Sequence, residues 1–341
     1  MKIDVLASEP HFIDHTAPVY AAMDPEVRGD FIITRSRWVG SVSTDELLER
    51  AHRRGVTDPL TELGPEDRPT LVASYGDLKQ TSQKGRTRLA AIEHGIGQSF
   101  VDSRHGSYAG GLGRENVSLF LVPNRHSANR WHTAYPQAQV EIVGCPKLDF
   151  LPRREPGDGP VVAISFHWGG GFPPETRSAF DNYRNVLADL AAAYTVIGHG
   201  HPRHIELLAR YYKRLRIPVV HDFEDVCRQA DVYACDTNST LYEFASTGRP
   251  VVVLNKPGRD GYRKDVEHGL RFWEAATVGV QVDRPGDLIA KVAEAIADSP
   301  AQQAAREAAL RIVYQYPDAG AQRAALALTK WAARFSDRKV A

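Results

Sequence analysis

Cysteine is scarce in this chain: three among 341 residues, Cys145, Cys227 and Cys235. An odd, widely spaced set provides no disulfide framework and no paired thiolates of the kind that hold zinc. An excess of either charge is lacking too. Lys plus Arg number 42 and so do Asp plus Glu, for a formal net charge of zero. That excludes the global basic field that drives nonspecific binding to nucleic acid or membranes. No apolar run approaches the roughly 18–20 residues of a membrane span. The opening MKIDVLASEP has no secretory pattern, so the expected compartment is the cytoplasm. Phosphate-binding fingerprints are missing as well: no Gly-Lys-Ser/Thr P-loop and no GxGxxG turn.

What is present is a globular composition, 43% hydrophobic and 25% charged, on a chain long enough for two cores. Short β-branched runs alternate with amphipathic ones, the pattern of βα units on parallel sheets. The expected strands of the first half are 2–7, 30–34, 70–75, 89–94, 118–123 and 140–144, with helices at 45–55 and 127–135. A Pro-, Gly- and charge-rich stretch, PRREPGDGP, then reads as a linker over 152–160. Beyond it, strands are expected at 161–166, 194–198, 217–221, 231–235 and 250–255. Helices follow at 175–193, 203–215, 223–230, 240–247 and 286–298. The fold class is α/β: two Rossmann-like, doubly wound parallel-sheet domains, 1–151 and 161–315, with a cleft between their carboxyl edges. A last helical segment, 316–341, is placed to pack back on the first domain.

Four polar turns follow strands. CDTNSTLYEF puts Asp236, Asn238, Ser239 and Thr240 ahead of a helix, with Glu243 at capping-box spacing from Thr240. The same geometry serves a well-capped helix or a diphosphate held by free first-turn N–H groups and hydroxyls. GHGHPRH brings together His199, His201, Arg203 and His204. It reads either as a solvated loop or as a set of donors, His201 and Arg203 foremost, that neutralise a leaving diphosphate without metal. SFHWGGGFPP carries His167 and then Gly169 and Gly170, where backbone can approach a ligand or form a plain loop. IEHG ends a strand with His94 and Gly95. A histidine there is structural, or titrates near neutrality as a general base. Lys84 and Arg86, in the basic run DLKQTSQKGRTR, form a solvated face or dock an anionic acceptor.

Taken in order, these segments resemble the CDP-glycerol glycerophosphotransferase-like family, GT-B enzymes related to teichoic-acid polymerases. IEHG is similar to the family's His-Gly motif. The run 119–151 ends in its Gly-x-Pro-x-x-Asp-x-Leu signature, here Gly144, Pro146, Asp149 and Leu151. GHGHPRH supplies the His-Pro element, and ADVYACDTNSTLYEFASTGRPVVVLN resembles the Asp-x-Ser-Ser turn with its following helix. The resemblance implies a GT-B transferase with no cofactor and no metal, using a UDP-sugar, a GDP-sugar or CDP-glycerol as donor. It makes His94 the base. His201, Ser239 and Thr240 become diphosphate contacts, to which the reading of the turns themselves adds Arg203 and Asn238. His167, Gly169, Gly170, His199, Asp236 and Glu243 lie around the donor, and Gly95, Lys84 and Arg86 on the acceptor side. The acceptor is any hydroxyl bearer: glycan, polyol, protein or modified nucleobase. A nucleotide-sugar 2-epimerase, drawing on Asp102, Glu115 or Glu267, and a non-catalytic nucleotide-sugar binder are the alternatives.

Overall fold

The computed structural model describes residues 1–35, 42–94, 114–152, 154–155, 157–168, 178–236, 238–256 and 278–336. The chain divides into two compact units. The described residues of the first lie in 1–94, 114–150 and 314–336, and those of the second in 151–313.

The first unit is built on six parallel strands, β1 (Ile3–Ala7), β2 (Arg28–Ile33), β3 (Thr70–Val72), β4 (Leu89–Ile92), β5 (Val117–Val122) and β6 (Gln139–Ile142), in the order β2-β1-β3-β4-β5-β6. All five residues of β1 are buried, as expected of a parallel strand covered on both faces. Among the described residues before 150, helices α1 (Pro10–Ala22), α2 (Thr44–Arg53), α3 (Tyr75–Gln83) and α4 (Arg125–Ala134) accompany this sheet. A full capping box starts α2, with Ser43 Oγ accepting the Glu46 N–H and Glu46 returning a bond to Ser43 N. Arg50 and Arg54, from α2 and its end, then clasp the buried Asp14 of α1 at 2.7 and 3.1 Å. These cations hold the Asp14 carboxyl down at about 2 although burial acts to raise it.

Two elements depart from the expected list. No helix was expected over 10–22, and α3 lies where a basic loop was read, carrying Lys79 on its surface.

The second unit has five parallel strands, β7 (Val161–Phe166), β8 (Thr195–Gly200), β9 (Val232–Cys235), β10 (Val251–Leu254) and β11 (Val280–Val282), in the order β11-β10-β9-β7-β8. Its helices are α5 (Phe180–Tyr183), α6 (Leu187–Ala193), α7 (Ile205–Arg214), α8 (Phe223–Gln229), α9 (Thr240–Ala245), α10 (Leu288–Ala297) and α11 (Pro300–Val313). The helix expected over 175–193 is described from residue 178 on as α5 and α6 separated by a 3-10 turn. The strand expected at 217–221 is a single bridge, Gly198 to Val219. Within the 152–160 stretch, Arg154 is ion-paired to Asp231 at 3.0 Å and Glu155 N–H reaches the Arg228 carbonyl, so both are fastened to the second unit.

The last described element, α12 (Gly320–Ser336), belongs to the first unit. Leu328 and Trp331 join the core around Ile3, Phe12 and Leu119, and the Trp331 indole N–H donates to Ser118 Oγ at 3.0 Å. The Gly144-to-Asp149 signature is its dock. Both Asp149 carboxylate oxygens accept first-turn N–H groups of α12, from Gly320 at 3.1 Å and Ala321 at 2.8 Å. Gly144 has φ +82°, and a Cβ there would sit 2.6 Å from the Tyr316 carbonyl oxygen. Only glycine fits.

Candidate functional site

In the second unit β7 lies between β8 and β9, with Ser165 in register with both His199 and Cys235. The turns that leave these strands are therefore neighbours on one carboxyl edge, where open α/β sheets bind ligands. They bring four side chains together. The rings of His167 and His201 are 5.1 Å apart, those of Trp168 and His201 5.8 Å, and the Arg203 guanidinium lies 5.0 Å from the Trp168 centroid.

Local bonds set the ring nitrogens. His201 Nδ1 accepts the Arg203 backbone N–H at 3.1 Å, so the neutral ring carries its proton on Nε2 and is a donor there. His167 Nδ1–H donates to the Trp168 carbonyl at 3.0 Å, which puts the lone pair of the neutral ring on Nε2. His201 and Arg203 are thus a donor pair beside an indole face.

Asp236 fastens this edge from beneath. Its carboxylate is 1% exposed and accepts the His167 N–H at 2.8 Å, the Ala179 N–H at 2.9 Å and the Ser178 hydroxyl at 3.3 Å. Both flanks of the segment between 168 and 178 are tied to one side chain. Burial pushes its pKa up to about 6 against these donors. Asp236 belongs to the support of the site rather than to its ligand-facing surface.

The turn after β9 departs from expectation in a second way. Its helix is six residues long, Ser239 is its N-cap in αR conformation, and no side-chain capping bond forms there. The first-turn N–H groups expected to be free already have acceptors. Thr240 N–H goes to Asn238 Oδ1, Leu241 N–H to the Asn238 carbonyl, and those of Tyr242 and Glu243 to the Ser239 carbonyl. The Thr240 hydroxyl is bonded to Tyr233 at 2.8 Å, and Glu243 is buried. A one-and-a-half-turn helix whose first N–H groups are occupied is a weak anion grip.

His199 is also reassigned. The strand runs two residues beyond its expected end, so Gly198, His199 and Gly200 alternate across the sheet. Cβ atoms at Gly198 and Gly200 would collide with Tyr212 and Leu208 of α7. His199 is buried on the other face, near Phe223 and Tyr233, and its Nδ1–H donates to the Val220 carbonyl at 2.9 Å. It is a packing residue.

In the first unit His94 follows β4. Its Nδ1–H donates to the Ala73 carbonyl, placing the lone pair of the neutral ring on Nε2, the form a base requires. Phe12 meets the ring edge-on at 4.7 Å and the His11 ring is 5.7 Å away. Glu9, His11 and Asp77 complete this edge, and sequence reading missed all three. For Glu9 and His11 the signal was present in SEPHFIDH, two acids and two histidines leaving a strand. Asp77 is buried, and burial pushes its pKa up to about 7 while Ser8 and Ser74 bonds oppose the rise. Burial first, and then Lys147, hold the pKa of the buried His15 well below the usual imidazole range.

Lys84 and Arg86 do not share that edge. They precede β4, at its amino end, whereas His94 follows its carboxyl end. Lys84 is exposed. Arg86 is 3% exposed and bonded to Asp4 Oδ2 at 2.9 Å, an internal ion pair rather than a docking residue. Glu115 is likewise exposed ahead of β5. Gly95, Asp102, Gly169, Gly170 and Glu267 lie outside the described residues. Among the described residues no group of three or more His, Cys, Asp or Glu is arranged to hold a metal ion, and no helix is long and apolar enough to cross a membrane.

Residues 174–328 match the family CDP-Glycerol:Poly(glycerophosphate) glycerophosphotransferase. No curated protein matches the chain in sequence. Among solved structures, the chain is similar to a histidine-to-asparagine variant of the wall teichoic acid polymerase TagF soaked with CDPG (TM-score 0.60, 11% identity, 98% of this chain and 90% of that one). It is similar also to MnaA of S. aureus with UDP (0.61, 12%, 98% and 97%). A third is UDP-GlcNAc 2-epimerase from Neisseria meningitidis bound to UDP-GlcNAc (0.58, 12%, 98% and 100%). At such identity the shared property is the fold, that of GT-B enzymes. The match from residue 174 to 328, which takes in His201, Arg203 and the 236–240 turn, makes that part of the chain similar to the CDP-glycerol glycerophosphotransferase family, and the chain as a whole has the GT-B fold.

Proposed function

We propose that this protein transfers a glycerophosphoryl or glycosyl group from a nucleotide-diphosphate-activated donor to an acceptor hydroxyl. The observation that carries the reading is the cluster of His167, Trp168, His201 and Arg203 on the carboxyl edge of the family-matched unit. The second unit holds the donor. His201 Nε2–H and the Arg203 guanidinium meet its diphosphate, with the Trp168 face alongside.

His94 takes the proton of the acceptor hydroxyl on Nε2. The acceptor oxygen bonds to the donor phosphorus (glycerophosphate) or anomeric carbon (sugar), and the bond to the departing nucleotide breaks. The charge released on that nucleotide is met by Arg203 and His201, fixed donors that need no metal. The family match favours CDP-glycerol as the donor over a sugar nucleotide.

Two measurements test this. A thermal-shift screen against CDP-glycerol, UDP-sugars and GDP-sugars should raise the midpoint with one donor class, and His201→Gln should abolish that rise. His94→Ala should lower transfer by about 10²–10⁴-fold, the usual worth of a general base, while keeping donor binding. Retained turnover sinks the base assignment.

One observation favours a second reading, a nucleotide-sugar 2-epimerase: two buried carboxyl groups, Glu9 and Asp77, lie on the edge that carries His94. Incubation with UDP-GlcNAc and no acceptor separates the two, since only an epimerase alters the sugar.

A further inference from the structure

Groups beside His94 remain unused by the chemistry above. Glu9 ends the turn after β1, 1% exposed, and its Oε2 lies 3.7 Å from His11 Nε2 at the start of α1. The His11 ring in turn stands 5.7 Å from His94, and the Phe12 ring, 4.0 Å from His11, meets His94 on the same side at 4.7 Å. With Nδ1 bonded to Ala73, the His94 ring is fixed in orientation, which leaves charge as the property its neighbours govern. Among the described residues, the titratable groups around it are Glu9, His11 and His15 from the β1–α1 segment, Asp77 from α3, Glu93 from its own strand end, and Lys147, which acts on His15.

We propose that Glu9 and His11 are positioning residues for His94: the buried Glu9 carboxylate holds His11 as an imidazolium, and that cation keeps His94 unprotonated and ready to accept a proton. The proposal rests on reading His94 as the base, since a base that is already protonated at working pH transfers nothing. Two like charges about 6 Å apart at a half-buried edge shift each other's ionisation by on the order of one pH unit. Glu9 is the source of asymmetry. Its carboxylate favours a proton on either ring, and its ion pair with His11 directs that proton to His11.

Replacing His11 by Phe keeps a ring against His94 and Phe12 but removes the cation. It also leaves the Glu9 carboxylate acting on His94 alone. Both changes raise the His94 pKa. Adding Glu9→Gln to His11→Phe removes the second contribution and lowers it again. A purely packing role predicts neither movement.

The experiment is an NMR titration of the imidazole carbon–proton signals of the full chain without ligand. The His94 signal is assigned by its loss in His94→Gln. We expect the His94 titration to move up by on the order of one unit in His11→Phe and to fall back in the double variant. His11→Gln, a smaller polar replacement, should repeat the upward movement if the phenyl ring packs poorly. A His94 titration unmoved in both His11 variants overturns the proposal. The transfer assay separates this outcome from failure of the base reading. The acid limb of kcat/KM should move with the NMR titration. If the NMR signal moves and the acid limb stays, the tuning stands and His94 is not the base.

Discussion

Asp236 to Asn is the substitution whose consequences the structure defines most closely. The side chain keeps its shape, one oxygen and its burial. Its amide nitrogen, however, now faces one of the two backbone donors, His167 N–H or Ala179 N–H, that the carboxylate accepted at 2.8 and 2.9 Å. One buried N–H without an acceptor costs about 1–3 kcal/mol. The pH dependence is the sharper signature. Burial raises the Asp236 pKa from 3.8 to about 6. The folded state therefore keeps this proton longer than the unfolded chain. The stabilisation this gives is fully present below about pH 4 and is lost as pH rises through about 6. Between pH 4.5 and 7.5 the loss comes to about 2 kcal/mol for a shift of that size. Asparagine has no such term, so the stability gap between wild type and Asp236→Asn should narrow by about 2 kcal/mol over that range. Urea unfolding at the two pH values measures it, with amide exchange at His167 and Ala179 assigning the transition to the second unit. A gap that does not change with pH refutes the argument that burial holds the proton on Asp236.

Asp149→Ala removes both acceptors at the start of α12 and should cost about 1–2 kcal/mol, the usual value of an N-cap. Amide exchange at Gly320 and Ala321 should accelerate while the second unit is unaffected; unchanged exchange at both would show that the helix has another cap. His199→Ala should lower the thermal midpoint through the lost Val220 bond and leave donor affinity intact, the reverse of His201→Gln. Equal loss of donor binding in both variants would return His199 to the ligand site.

Most of the strands were legible because parallel strands are covered on both faces and appear as continuous β-branched runs, VVAISF and PVVVL among them. The reason α1 was not legible is the same burial. PHFIDHTAPVYAA is enclosed along most of its length and includes the buried polar Asp14, His15 and Thr16 with Pro18 inside the helix. No polar face marks the 3.6-residue period. The opposite problem hides α3, where Leu78 is the one large aliphatic residue of YGDLKQTSQ, and a weak stripe beside a basic run reads as loop. IPVVH has strand composition, but it carries Pro218, which has no N–H to offer a ladder, and it pairs through one bridge.

The site was legible to the turn and not to the atom. GHGHPRH was read as one polar cluster because the strand was expected to end at 198. It ends at Gly200, so the period of two applies to His199 and buries it, while His201 falls just past the strand. In the turn after β9, several short polar residues were read as hydroxyls and amides presented outward. Such residues also bond their own backbone, and here Asn238 closes on the Thr240 N–H while Thr240 turns to Tyr233. The motif residues thus separate into two kinds. Gly144, Asp149, His199 and Asp236 hold elements of this chain together. His94 and His201 differ from His199 in place rather than in bonding: each has one ring nitrogen committed to backbone, but they follow their strands at a carboxyl edge, whereas His199 is inside β8 and buried. A relative that kept the first set and His201 but lost His94 would be a binding protein on the same scaffold. The chemistry of this chain is therefore to be sought at His94 and His201, not at the turn whose composition first suggests it.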